Sequence, residues 1–213
     1  MPAWIHQFAG RFLVFDGPDG SGKSTQFARF AARCRAAGLA VCEVREPGGT
    51  SIGEQIRQVL LDPANAEMSI GCEVMLYMAS RGQLVEEKIA PALARGEIVL
   101  ADRFVSSTLA YQGTAGGLPV EDILTVGRVA IGGRWPDLTV IFDVDEKTAK
   151  GRLDPRRDRI EQREAGFHRR VREGFLAQAR ERPDAHLVID ATPAVDVVTA
   201  SLEKQMETWV TRW

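Results

Sequence analysis

The chain lacks the cysteines for a disulfide framework or a zinc site. Its three, Cys34, Cys42 and Cys72, are odd in number, show no C-x-x-C spacing and lie in apolar stretches. That pattern predicts buried structural thiols in a reducing cytoplasm. An excess of charge of one sign is lacking too. With 27 basic and 29 acidic residues the formal net charge is -2, which excludes a general attraction to nucleic acid or to an anionic membrane. Any phosphate recognition must therefore come from local clusters. No apolar run approaches the length of a membrane span, and Met1 to Gly10 has no long apolar core behind a basic flank, so a soluble, unexported protein is expected. Internal repeats, low-complexity tracts and linkers are also missing. At 213 residues and 45% hydrophobic content, the chain is long enough for one well-filled core and short for two, which predicts a single domain over 1–213.

What is present is an alternation. Five short β-like runs recur, Phe12 to Asp16, Ala40 to Arg45, Ile98 to Asp102, Leu138 to Asp143 and His186 to Asp190, with helical patterns between them. Alternation of this kind predicts an α/β fold with a parallel sheet covered on both faces. Helices are predicted over Thr25 to Ala37, from Ser51 to near Leu61 with Ser51 and Glu54 as a capping box, and over Val120 to Ile131. A longer one is predicted from Cys72 to Ala94, kinked or restarted at Pro91. The last runs from Ala194 to Val210 behind Thr192 as N-cap and Pro193 in the first turn. In open sheets ligands sit at the carboxyl ends of the strands, and Asp16, Arg45, Glu46 and Asp102 all lie there.

Directly after the first apolar run comes Gly17 Pro18 Asp19 Gly20 Ser21 Gly22 Lys23 Ser24, a complete G-x-x-x-x-G-K-[ST] phosphate-binding loop in the strand, loop, helix context it requires. Its glycines let successive N–H groups turn inward around a phosphate, and the following helix aims its positive end at the same place. Lys23 is placed to reach the outer phosphates, and the Ser24 hydroxyl to take one place on a magnesium ion.

Four further segments bear on the second substrate. Arg45 to Thr50, reading R-E-P-G-G-T, is stiffened by Pro47, while Gly48 and Gly49 allow close approach of a ligand to the backbone. Tyr77 and Arg81 stand four apart on one helix face, an aromatic plate beside a guanidinium. Asp102 ends a strand near the loop, placed to orient magnesium through water, and Arg103 beside it can neutralise an acceptor phosphate. Lys150 to Arg172 is dense in arginine. Its part after Glu161 reads as a solvated helix face, whereas Asp154 and Pro155 break the helix and make about 152–160 a candidate lid.

Taken together, Gly17 to Thr25, Arg45 to Thr50, Tyr77 to Arg81, Asp102 to Gln112 and Asp158 to Glu161 resemble the thymidylate kinase family, over nearly the whole chain and in the right order. The resemblance implies a P-loop NTPase three-layer sandwich of the nucleoside-monophosphate-kinase type, with a five-stranded parallel sheet in the order 2-3-1-4-5. It implies a cytoplasmic homodimer that transfers the γ-phosphoryl group of ATP to thymidine monophosphate with magnesium. Carried over residue by residue, Gly17, Pro18, Asp19, Gly20, Ser21, Gly22, Lys23, Ser24 and Thr25 would hold ATP, with Arg152 against its adenine. Asp19, Glu46, Pro47, Tyr77, Arg81, Arg103, Thr108, Tyr111 and Gln112 would hold the acceptor, Asp19 at its sugar hydroxyl and Tyr77 stacked on its base. Ser24 and Asp102 would serve the metal, and Lys23 and Arg103 the reaction. The family's catalytic arginine lies either in the loop or in the lid. Here the loop position is Gly20 and the lid is arginine-rich, so the resemblance is to the lid-arginine type, with Arg156, Arg157 and Arg159 as candidates. The family often has phenylalanine where this chain has Tyr77.

Two other readings stay open on the residues alone. One is a kinase for another nucleoside monophosphate. The other is a nucleotide-hydrolysing switch, against which stand the absence of an N-K-x-D segment and the unexplained acceptor-side segments.

Overall fold

The central strand β1 (Phe12–Asp16) is buried along its whole length, and its side chains alternate between two hydrophobic layers. Leu13 and Phe15 point to one face, where they join Phe27, Phe30 and Trp209. Phe12 and Val14 point to the other, with Val99, Ala101 and Phe104. A strand apolar on both faces belongs in the middle of a parallel sheet. In the computed structural model it lies there, in a five-stranded sheet ordered β2-β3-β1-β4-β5. The structure describes residues 3–152, 159–160 and 165–213.

The flanking strands are β2 (Val41–Arg45), β3 (Ile98–Asp102), β4 (Leu138–Asp143) and β5 (His186–Asp190). Every pairing is parallel, with Leu13 opposite both Leu100 and Leu138. Chain order reverses at β1, whose neighbours β3 and β4 lead to opposite edges of the sheet. The crevice at the carboxyl end of β1 is thus the topological switch point.

The helices in chain order are α1 (Lys23–Ala36), α2 (Ser51–Leu61), α3 (Ile70–Leu84), α4 (Ala90–Ala94), α5 (Val105–Thr108), α6 (Val120–Ile131), α7 (Glu146–Arg152), α8 (Ala165–Glu181) and α9 (Val195–Val210). α3 runs into α4 through a π-helical turn, Val85–Ile89. Pro91 explains the widening, because it has no N–H to donate and its ring crowds the carbonyl four residues back. α5 runs on likewise into a π-helical Leu109–Thr114.

Four sequence expectations need correction. α2 is capped by Thr50, whose hydroxyl accepts from Gly53 N at 3.0 Å, not by Ser51. Glu54 is thereby displaced from the capping box and instead accepts from Gly49 N and pairs with Arg45. α9 starts at Val195 behind Ala194 with no side-chain cap, two residues after the expected Thr192 and Pro193 start. Finally, only Cys34 is buried, its thiol pushed up to about 12 by desolvation. Cys42 is half-buried on edge strand β2 and Cys72 is exposed at the start of α3.

Candidate active site

The loop after β1 is held open by backbone that tolerates no side chain. Gly20 has a φ of +77°, and a Cβ there would stand 2.5 Å from the Ala149 carbonyl oxygen of α7. Gly17, at φ +141°, would meet the Phe142 carbonyl oxygen at 2.5 Å. The structure thus gives a physical reason why position 20 carries no arginine: this backbone leaves it no room. Gly20→Ala is expected to cost about 2 kcal/mol or more through strain and overpacking. Urea unfolding checks this, and an unchanged midpoint would contradict it.

The loop residues Pro18 to Thr25, with Arg103, line a cavity of ≈ 210 Å³. The Ser21 hydroxyl there is buried and has no hydrogen-bond partner among the described residues, as suits a group that awaits a ligand oxygen. Lys23 opens α1 and is buried, with its ammonium paired to Asp102. Burial and the nearby Arg103 depress its pKa, and Asp102 opposes them. Ser24 Oγ lies 3.4 Å from the other Asp102 oxygen. A hydroxyl and a carboxylate side by side form a hard-oxygen donor pair that fits magnesium, an ion that keeps water and phosphate oxygens for its other places. Among the described residues no group of three or more His, Cys, Asp or Glu forms an all-protein metal cage.

Arg103, just past β3, has a φ of 71°, a strained conformation for a side-chain-bearing residue that persists only where its surroundings over-determine it. They do so here. Its guanidinium pairs with Asp19 and donates to Ser107 Oγ at 2.9 Å and to the Gly17 carbonyl at 3.2 Å. Asp16, fully buried at the end of β1, accepts from Ser106 and Ser107 at 2.5 and 2.7 Å and so ties α5 to the loop. Tyr111 donates to Asp19 at 2.7 Å. Burial would raise the Asp19 carboxyl, but Arg103, the Tyr111 hydroxyl and Lys23 outweigh it and hold Asp19 below its ordinary value. An ionised carboxylate there only accepts hydrogen bonds.

A second cavity of ≈ 270 Å³ opens from the first. Asp19, Lys23, Ser24 and Arg103 line both. Its far wall carries Glu46, Pro47, Tyr77, Arg81, Thr108, Tyr111 and Gln112, together with Asp102 near the loop. Every acceptor-side residue expected from the sequence is therefore in one place. Arg81 is 1% exposed and gives Glu46 a fork of hydrogen bonds, Nε at 2.8 Å and Nη2 at 2.5 Å, with Thr108 Oγ1 at 3.2 Å. Its guanidinium lies 5.1 Å over the Phe104 ring. Glu46 is pushed up to about 7 by burial, against the pull of Arg81.

A third cavity beside the loop, ≈ 380 Å³, runs from Gly20, Ser21 and Gly22 to Arg152 and the Ala191 to Val195 segment. Arg152 donates to the Ala191 and Thr192 carbonyls at 2.8 and 3.0 Å, which lays its side chain along that wall.

The lid arginines divide. Arg156 and Arg157 lie outside the described residues. Arg159, expected to act on the transferred phosphoryl group, is placed elsewhere: it is buried, paired with Glu73 and donates Nε to the Leu60 carbonyl at 2.8 Å. Releasing it would take a cation away from the buried Glu73 carboxylate. Sequence reasoning missed Glu73 itself, as well as Arg57, which lines the second cavity and donates to the Pro47 carbonyl at 2.9 Å. Each lies on a helix with no local motif.

Comparisons with known proteins show the family. The sequence model described as Thymidylate kinase matches residues 15–202. The chain is 48% identical to a protein named thymidylate kinase from Deinococcus radiodurans, covering 91% of this chain and 94% of that one. It is 44% identical to the one from a Geobacillus species, covering 90% and 93%. The crystal structure of thymidylate kinase from Ehrlichia chaffeensis superposes with a TM-score of 0.77 at 30% identity, covering 93% of this chain and 99% of that one. A phosphate-binding loop at the switch point, a second cavity that shares its lining and matches of this length lead to one conclusion: the chain belongs to the thymidylate kinase family, a family of phosphotransferases.

Proposed function

We propose that this protein transfers the γ-phosphoryl group of ATP to thymidine monophosphate, giving the diphosphate and ADP. The observation that carries this reading is the junction of the two cavities at Asp19, Lys23, Ser24 and Arg103. A donor phosphate held by the loop and an acceptor phosphate held by Arg103 would meet there with two cations beside them. Phosphoryl transfer needs little else, because its rate comes from in-line positioning and charge neutralisation. No general base is required, since a phosphate monoester is already largely anionic near neutral pH.

In this reading the loop residues Gly17 to Thr25 hold the triphosphate and Arg152 borders the adenine. Asp19 takes a hydrogen bond from the acceptor sugar, Tyr77 stacks on the base, and Arg81, Thr108, Tyr111 and Gln112 complete the pocket. Ser24 and Asp102 would hold Mg²⁺, which supplies neutralisation of phosphate charge when bound. Arg156 and Arg157, in a lid at about 152–160 of a single kinase domain, stand in for the arginine that Gly20 excludes from the loop.

A homodimer belongs to the same proposal. Exposed Ile52, Val59, Met75 and Val129, on the neighbouring helices α2, α3 and α6, support it. A cytoplasmic location fits the family, and no helix among the described residues is long and apolar enough to cross a membrane.

Coupled measurement of ADP release over a panel of acceptors tests the reading. Thymidine monophosphate should drive turnover on the scale of about 1–100 s⁻¹ usual for such transfers. A clear preference for a purine monophosphate would remove the thymidylate assignment, and equal hydrolysis with and without acceptor would favour the switch.

A further inference from the structure

Glu73 sits in the first turn of α3, fully buried, one turn ahead of Tyr77 and two ahead of Arg81 on the same face. A carboxylate with no access to water must be satisfied by donors, and this one draws them from two distant parts of the chain. Gln112 Nε2 donates to one oxygen at 2.7 Å, and the Arg159 guanidinium pairs with the other. Arg159 in turn donates to the carbonyls of Leu60 and Leu61 at the end of α2. Two elements therefore meet at Glu73 and Arg159 ties in a third, α2, and each supplies a wall of the acceptor cavity: Leu61 from α2, Gln112 from the π-helical turn after α5, and Ile160 next to Arg159.

The consequence for Gln112 is chemical. An amide can present either its N–H₂ or its oxygen, and a flip exchanges them. An ionised carboxylate accepts and never donates, so Glu73 commits Nε2 to itself and turns Oε1 away. A ring nitrogen that carries a proton, as in the imide of thymine or uracil, suits an acceptor oxygen. The same ring position in cytosine is a lone pair and meets that oxygen with repulsion.

We propose that Glu73 is a positioning residue that locks the Gln112 amide and the 159–160 segment, and through them sets selection of imide pyrimidines over cytosine. This rests on the acceptor cavity being read as the nucleoside-monophosphate site. Glu73→Gln replaces an obligate acceptor by a group that can also donate, so the Gln112 amide becomes free to flip.

The test uses the full chain and compares kcat/KM for thymidine and deoxycytidine monophosphates, with KM for ATP measured alongside. In Glu73→Gln the ratio of thymidine to deoxycytidine should fall about tenfold, the worth of one net hydrogen bond. KM for thymidine monophosphate should rise while KM for ATP stays unchanged. Glu73→Asp, still an obligate acceptor, should keep most of the ratio. Should Glu73→Gln fail to fold, the double variant Glu73→Gln/Arg159→Met removes both charges of the pair and should show the same loss of ratio. An unchanged ratio in either folded variant, or a KM for ATP that moves in parallel, would overturn the role of Glu73. A wild-type protein without turnover of thymidine monophosphate would instead overturn the reading of the site, and shows itself before any variant is compared.

Discussion

Lys23→Ala should lower kcat/KM by at least about a thousandfold, the scale on which a single charge-stabilising group contributes when charge develops in a water-poor site. Thermal stability should stay level or rise. The two expectations have one cause. Lys23 is buried, and both desolvation and Arg103 depress its pKa, so its charged form is held in the fold against local preference. A lysine of lowered pKa binds protons less well folded than unfolded, so its contribution to stability improves as pH rises toward 10.5 and is unfavourable below. Removing it relieves that cost and leaves Asp102 partly exposed, still near Ser24. ADP-release kinetics and a melting curve on the same preparation read both effects. A loss of tenfold or less with a normal melt would sink the assignment of Lys23 to the transferred phosphate.

How much of this was legible in the sequence depends on the range of the interaction involved. The loop could be read because its geometry is local: a strand with four apolar residues, glycines where the backbone turns, and a helix that begins with the lysine. The acceptor side could be read as a set because Tyr77 and Arg81 share a helix face and Asp102 to Gln112 is contiguous. The sheet followed from the alternation, and its order from the resemblance.

What escaped has no local trace. Glu73 and Arg159 are 86 positions apart, and nothing around either announces the pairing. The charge-dense stretch that suggested a phosphate-facing guanidinium is equally compatible with one buried against a carboxylate. The choice between Thr50 and Ser51 as cap is set by backbone angles, since both residue types cap well. Thr50 is extended at φ -133° and ψ 165°, and so it takes the role. Helix α5 and its π-helical continuation went unseen because Ser106, Ser107, Thr108 and Gly113 are weak helix formers. Packing of Ala110 and Tyr111 against Phe167, Val171 and Phe175 holds that segment instead.

Arg81→Met should destabilise the fold by about 3–5 kcal/mol, the usual cost of leaving one member of a buried ion pair alone, and the cost should depend on pH in a definite direction. Glu46 stands at about 7 even with Arg81 beside it, because burial outweighs the pairing. Without the guanidinium it must rise further and carry a proton at neutral pH. A carboxyl whose folded pKa lies above its unfolded one binds more protons in the folded state. Stability therefore falls as pH rises between the two values, by up to about 1.4 kcal/mol per pH unit. In the wild-type protein that window closes near pH 7. In the variant it extends upward, so the gap between the two should be steady from pH 5 to about 7 and widen above it. Urea unfolding at half-unit steps up to pH 9 measures the gap directly, and contributions of groups common to both proteins cancel. A gap that stays constant to pH 9 would mean that Glu46 remains charged without Arg81. The wall of the acceptor cavity would then be better hydrated than its burial implies, and Arg81 would be present chiefly for the base rather than for Glu46.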